Sequence, residues 1–305
     1  MTRFPFVFVA SIALVLGACS SGNDAGAAAD QSVDPIVGGK PDPKDLAVVA
    51  IDIGGEGLCT GTLIAPRLVL TARHCVSETA HGVSCPGSSA QIGADRDPAS
   101  LVILTGTNAF KGTPVARGAR LHTPSGSTLC SHDIALIELD RDVIGITPAT
   151  AATMNVVSRT TTLRAAGYGR KDDASNAGKR LTRAGIPIVA TTPNEITVGE
   201  ATCSGDSGGP AFDEHTGLVV GVVSRGTSPC AGPDAHNIFT RTDAFADLIN
   251  LALTSQKGGA GGHDGASGHG GASGHGGAPA DAKKCFGDAN CAAGLHCNHA
   301  THLCE

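Results

Sequence analysis

The chain has 305 residues, of which 41% are hydrophobic and 16% charged, and a formal net charge of −6. That length supports a full core, and the acidic balance leaves no basic footprint for nucleic acid. Tryptophan is absent and aromatic residues make up 3%, so a core has to be built from Val, Ile, Leu and Ala.

Residues 1–19 read as an export signal. Arg3 supplies the positive start, Phe4 to Gly17 is apolar, and Leu16-Gly17-Ala18-Cys19 closes the segment with small residues before a cysteine. The apolar stretch is short for a spanning helix. It resembles the lipobox of bacterial lipoproteins, where the cut falls before the cysteine and that cysteine carries the lipids. Several chains on Cys19 give a stable anchor, whereas one chain is marginal. Ser20 fits onward transport to an outer membrane by the same analogy. An ordinary signal cut near Ala18 is the alternative. Residues 20–35 are small and polar, a tether or propeptide. Setting Cys19 aside leaves an even number of the 11 cysteines, and export implies an oxidising compartment, so disulfides are expected.

Short apolar runs follow, separated by Gly, Pro, Asp and Asn: Leu46–Ile53, Arg67–Thr71, Leu101–Leu104, Ile134–Leu139, Thr161–Ala166, Ile186–Ala190 and Leu218–Val223. Short strands at this spacing predict an all-β fold. The second run leads into Thr71-Ala72-Arg73-His74-Cys75, and Asp133 opens the fourth. Gly205-Asp206-Ser207-Gly208-Gly209, followed by Pro210, suits neither helix nor strand. It predicts a tight loop exposing one hydroxyl beside open backbone N–H groups, although alone it is also compatible with a plain glycine turn. The chain order His74, Asp133, Ser207 is that of one of the three convergent serine-protease designs. Residues 243–254 predict a helix with Asp243 as N-cap and Phe245, Leu248, Ile249 and Ala252 on one face.

Together these segments resemble the trypsin/chymotrypsin family of serine proteases over roughly Ile36 to Leu253. The resemblance rests on Ile36-Val37-Gly38-Gly39, the His74 and Asp133 motifs, Gly167-Tyr168-Gly169, Cys203 to Pro210, and Val223-Ser224-Arg225-Gly226. It implies two six-stranded antiparallel β-barrels with the active site between them and a C-terminal helix, in a protease domain over residues 36–255. It further implies Ser207 as nucleophile, His74 as its base and Asp133 as the group that orients His74, with Ser224 near that aspartate. The N–H groups of Gly205 and Ser207 would hold the oxyanion. Cutting before Ile36 would free an ammonium that pairs with Asp206 and orders this loop. The family bridges correspond to Cys59–Cys75 and Cys203–Cys230; Cys85 and Cys130 then pair by elimination.

Four departures qualify the resemblance. Val33-Asp34-Pro35 precedes Ile36 where an Arg or Lys would direct trypsin-type cutting. Arg73 replaces a small residue and must find solvent or an acid. Arg225 stands where a tryptophan commonly lines the pocket. The span from Asp133 to Ser207 is short, implying trimmed loops in the second barrel. In the expected specificity pocket, formed by Ala201, Thr202, Ser224, Gly226 and Asn237, Ala201 occupies the place of an acid that grips Arg or Lys. The expectation is therefore an uncharged pocket without selectivity for basic residues, taking a small or medium apolar side chain, with Arg225 attracting an acidic one as the alternative.

Residues 256–284 form a Gly/His-rich linker. Within it His263, His269 and His275 each hold the fifth place of a six-residue unit. Imidazoles bind metals, but flexible ones lack the outer hydrogen bonds that fix a site, so a polar spacer is the reading and no metal is expected. Residues 285–305 carry Cys285, Cys291, Cys297 and Cys304, a small disulfide-rich module with three possible connectivities. The expected protein is an exported endopeptidase acting on proteins or peptides, monomeric and without cofactor. It is anchored through Cys19 at a bacterial outer membrane or cell surface and released when the bond before Ile36 is cut. The alternative is a weak or inactive protease-fold binding protein at the same surface.

Overall fold

The computed structural model describes residues 36–79, 85, 90–154 and 157–258, together with Met1 and the backbone of residues 297–298 and 303–304. The export signal, Cys19, the tether and the histidines of the linker lie outside the described residues. So do the four tail cysteines, apart from the backbone of Cys297 and Cys304, which pair in a short antiparallel ladder.

The described chain begins with β1 (Lys40–Pro41), β2 (Val48–Ile53), β3 (Leu58–Ala65), β4 (Leu68–Thr71) and a single helical turn α1 (Arg73–Val76). A small pair, β5 (Ser77–Thr79) and β6 (Ile92–Asp95), precedes β7 (Leu101–Thr105), β8 (Thr113–His122) and β9 (Ala135–Leu139). Strands β2, β3, β4, β9, β8 and β7 close into one antiparallel barrel. The second barrel comprises β10 (Thr162–Gly167), β11 (Leu181–Thr191), β12 (Glu195–Val198), β13 (Pro210–Asp213), β14 (Val219–Gly226) and β15 (Asn237–Arg241). Its strands run in the order β11-β10-β13-β14-β15-β12 and close through β11–β12, with β1 added beside β11. Closure leaves few open sheet edges, which protects so β-rich a chain against edge pairing.

The strand interiors are filled as the composition requires. Val48, Val49, Ile51, Leu63, Leu68, Leu70, Ile103, Leu136 and Ile137 are fully buried in the first barrel, and Leu163, Ile196, Val198 and Val220 in the second. Each such side chain contributes about 1.5–3 kcal/mol of transfer free energy. Tyr168, the one tyrosine, is buried with its hydroxyl 2.6 Å from Gly106 O and 3.1 Å from Val48 O, so its polar end is satisfied inside the core.

Two registers position the site. Thr71 of β4 pairs with Ala135 of β9, so the residues just after β4 and just before β9 leave the barrel at the same end. Pro210 of β13 pairs with Val222 of β14, and the loop before Pro210 continues this contact, with Gly208 N donating to Val223 O at 2.8 Å.

The predicted helix is present but starts later. Asp243 is not its N-cap: 243–245 form a tight 3-10 turn and the α-helix α2 runs from Ala246 to Gly258. The Asp243 carboxylate is instead taken by Arg241, with Nε donating at 2.9 Å and Nη2 at 2.6 Å, a two-pronged ion pair stronger than a single capping bond. Leu248, Ile249 and Ala252 are buried against the first barrel, with Phe245 partly buried beside them, as the periodicity predicts. Strand β11 is longer than its apolar run Ile186–Ala190 because its first half also pairs, Leu181 to Arg183 with β10 and Leu181 and Thr182 with β1.

Candidate active site

His74 sits in the α1 turn. The Cys59–Cys75 disulfide ties that turn to β3. Asp133 is almost fully buried and meets His74 twice: it accepts the His74 backbone N–H at Oδ1 (3.0 Å) and faces His74 Nδ1 with Oδ2 (2.7 Å). Ser224 Oγ donates to the same Oδ2 at 2.7 Å. Burial alone would raise the Asp133 pKa, but the His74 charge and these hydrogen bonds outweigh it and hold the carboxyl below the usual range. Burial likewise opposes a charged His74, yet the Asp133 charge and hydrogen bond prevail and raise the imidazole pKa. With Asp133 ionised, the imidazole proton belongs on Nδ1, and Nε2 is left with its lone pair.

The Ser207 loop is wedged between the barrels. Gly205 and Gly208 have φ of +101° and +82°, in the region that favours glycine. A Cβ on Gly208 would collide with Thr71 Oγ1 and Thr60 O, and would lie 2.9 Å from Ala72 N, so the loop rests directly on the segment that leads to His74. Thr60 fastens it: its N–H donates to Ser207 O and its Oγ1 to Gly205 O, both at 2.8 Å. Ser207 lines a cleft of about 200 Å³ together with Thr202, Val223, Ser224, Gly226 and Asn237.

Asp206 is fully buried beneath the loop. Gly169 N donates to its Oδ1 at 2.8 Å and Cys203 N to its Oδ2 at 3.0 Å. Burial without a cation among the described residues pushes its pKa up to about 7, against the lowering by these two bonds. Gly167 and Gly169 make room for it, since a Cβ on Gly169 would lie 2.5 Å from Asp206 Cγ and one on Gly167 would collide with Oδ1. Ile36 is also fully buried, with φ of +51°. Val37 packs on the Cys203–Cys230 bridge, and its carbonyl accepts from Arg183 Nη1 at 2.6 Å.

The predicted pocket residues divide. Thr202, Ser224, Gly226 and Asn237 line the cleft, whereas Ala201 is fully buried outside the lining. Asn237 explains this: its Oδ1 accepts from Ala201 N (2.8 Å) and Thr202 N (2.9 Å), so the Ala201 backbone is bound up behind the cleft wall. Arg225 does line the cleft, but it is not free to attract an acid. Glu195 takes it with both oxygens, from Nη1 at 2.8 Å and Nη2 at 3.1 Å. Arg73 is buried and satisfied by Asp95 at 3.5 Å and by the carbonyls of Pro124 and Gly126. Cys85–Cys130 and Cys203–Cys230 are also bonded. Asp173, an exposed acid in the cleft lining, was not anticipated. Its only sequence signal is the charged run Arg170 to Asp173, which reads as an ordinary solvated loop.

Two closed six-stranded barrels, with this histidine–carboxylate pair at the end of one and the serine loop lying against it, define a chymotrypsin-like β protein. The trypsin family matches residues 36–249, and the chain belongs to that family. Among characterised relatives, the cercarial protease of Schistosoma mansoni is 29% identical over 229 residues, spanning 68% of this chain and 85% of that protein. A trypsin of Saccharopolyspora erythraea is 28% identical over 226 residues, spanning 68% and 91%. In fold, a Glu endopeptidase matches with a TM-score of 0.56 at 23% identity, covering 72% of this chain and 98% of its own. Human heparin binding protein matches with 0.57 at 23%, covering 72% and 97%.

Proposed function

We propose that this protein is a serine endopeptidase that cleaves proteins or peptides through an acyl-enzyme. The observation that carries the reading is the double grip of Asp133 on His74, which fixes the ring and leaves Nε2 as the base. In this reading Ser207 Oγ attacks the scissile carbonyl while His74 Nε2 takes its proton. The N–H groups of Gly205 and Ser207 hold the oxyanion. His74 then returns the proton to the departing amine, and water repeats the sequence to release the acid. No metal or cofactor takes part. Ala201 brings no acid into the cleft, so basic side chains are not gripped from its floor.

The buried Asp206 supports an activation step. Cutting before Ile36 would release an α-ammonium beside a segment already docked on the Cys203–Cys230 bridge, and its pairing with Asp206 would offset the cost of burying that carboxylate. Together with the signal, this makes the protein an exported zymogen held by lipid on Cys19 and released when Pro35–Ile36 is cut, with the linker and the cysteine-rich module travelling on the released part. Labelling with a serine-reactive phosphonate, before and after generating an Ile36 terminus, tests the reading, with Ser207→Ala as control. Labelling of the cut form alone is expected; labelling of neither form makes the protein a binding module on a protease fold.

A further inference from the structure

We propose that Asp173 is a specificity residue: it selects substrates that place a cationic side chain, lysine or arginine, in the cleft beside Ser207. This deepens the endopeptidase reading and rests on it for the turnover measurements below.

The argument is a charge count around the cleft. Two charged side chains line it, Arg225 and Asp173. Arg225 is neutralised by its two-pronged pair with Glu195 and brings no net charge. The floor is self-satisfied, because Asn237 spends its oxygen on Ala201 N and Thr202 N and its Nδ2 on Thr202 O at 3.1 Å. Asn237 Nδ2 also fills the space a Cβ on Gly226 would need, so the cleft is closed on that side. The uncompensated charge is therefore the Asp173 carboxylate.

Asp173 is held but not used up. Its Oδ2 accepts from Cys230 N at 3.1 Å, and its Oδ1 lies 3.6 Å from Cys230 Sγ, a disulfide sulfur that has no proton to give. A carboxylate offers about four acceptor positions, so most of the capacity of this exposed cleft-lining acid is left open. Arg170 and Lys171 stand in the same loop, yet among the described residues no cation pairs with Asp173. A backbone anchor with open lone pairs beside a cleft is how a carboxylate receives an ammonium or guanidinium. The sequence places this acid far from Ala201, in the loop after Tyr168, so the expected uncharged pocket gains its charge from the wall.

The test compares two peptide substrates that differ only in the side chain entering the cleft, lysine or its uncharged analogue norleucine, with the full chain carrying a free Ile36 terminus. Asp173→Asn keeps the acceptor for Cys230 N and removes the charge. The lysine-to-norleucine ratio in kcat/KM is expected to fall about three- to tenfold in Asp173→Asn. Asp173→Lys is expected to push the ratio lower still. An unchanged ratio in both variants overturns the proposal. Equilibrium affinities of the same peptides for Ser207→Ala read the cleft without catalysis. A lysine preference there that vanishes on adding Asp173→Asn supports the role of Asp173 even if the native chain turns nothing over, which would sink the hydrolase reading alone. Equal affinities overturn the role of Asp173.

Discussion

Gly169 presents its backbone N–H to Asp206 Oδ1 at 2.8 Å, in a cradle that two glycines keep open and that no side-chain cation enters among the described residues. The Asp206 carboxyl consequently keeps its proton up to about pH 7, whereas in the unfolded chain it loses it near 4. Between these values the folded state binds more protons, so this group makes stability fall as pH rises from about 4 to about 7, by about 4 kcal/mol at most. Urea unfolding of the uncut protein at pH 5 and pH 8 should show about two thirds of that loss, because the unfolded carboxyl is already largely ionised at pH 5. After Ile36 is freed its ammonium favours the charged carboxylate, and the slope should flatten. A cut form with the same slope as the uncut form would separate Asp206 from activation.

The His74–Asp133 pair sets the acid side of the rate profile. Because the imidazole pKa is raised above its ordinary 6.5, the limb of kcat/KM on which His74 loses its proton should have its midpoint above that value. Asp133→Asn removes the charge and disturbs the tautomer, and a loss of about 10⁴ in kcat is expected at neutral pH. The expected midpoint also falls in this variant, which a purely structural role for Asp133 would not produce.

How much of this was readable from residues depends on the type of contact involved. The runs that became β2, β4, β7, β9 and β14 announced themselves because their apolar residues are largely consecutive, and β10 because Leu163, Ala165 and Ala166 stand between turn signals despite Arg164. Strands β8 (Thr-Pro-Val-Ala-Arg-Gly-Ala-Arg-Leu-His) and β13 (Pro-Ala-Phe-Asp) did not: Pro, Gly and Arg break the local pattern of the first, the second is only four residues long, and barrel closure makes both of them strands. The triad order was legible since each member sits in its own motif. The partners of Arg73 and Arg225 were not: Glu195 is 30 residues from Arg225 in the chain, and only the β12–β15–β14 pairing brings it near. Asp243 misled because an acid before an amphipathic run looks like a cap, while Arg241 two residues earlier competes for it.

Arg225 and Glu195 should behave as a unit. Both side chains are largely buried, at 19% and 11% exposure, and Glu195 Oε1 also accepts from Ser131 N at 2.9 Å. Glu195→Ala strands a guanidinium beside Asp133's neighbour Ser224, and a loss of about 3 kcal/mol is expected. Replacing both residues, as in Glu195→Met with Arg225→Met, should cost less than Glu195→Ala alone. Denaturant midpoints of the single and double variants check this. Strict additivity would show that the pair is not coupled.

The Cys59–Cys75 bridge closes a separation of 16 residues and holds the His74 turn to β3. A loop of that length constrains the unfolded chain by about 3 kcal/mol. Cys59→Ala with Cys75→Ala should lower stability by about that amount and also lower kcat, because α1 is a single turn with no side-chain cap of its own. Measuring stability together with kcat separates the two effects. A stability loss with kcat intact would mean that Asp133 alone is enough to hold His74.

Gly208 offers the sharpest local test. Its φ of +82° disfavours any side chain, and there is no space for one, with Thr60 O and Thr71 Oγ1 in collision distance and Ala72 N at 2.9 Å. Two of these obstacles are backbone atoms of the first barrel, which cannot swing aside as a long side chain can. Gly208→Ala should therefore push the Ser207 loop away from the strand end that carries His74. The expected cost is about 2–4 kcal/mol in stability from strain and clash together. The larger effect should fall on kcat, since a displacement of about 1 Å between reacting groups is worth about 10²-fold. Gly217→Ala makes the control, because its φ of +73° is similar but nothing lies within 4 Å of the added carbon. If both variants lose the same stability and neither loses kcat, backbone conformation alone governs Gly208, and its contact with the first barrel does not position Ser207.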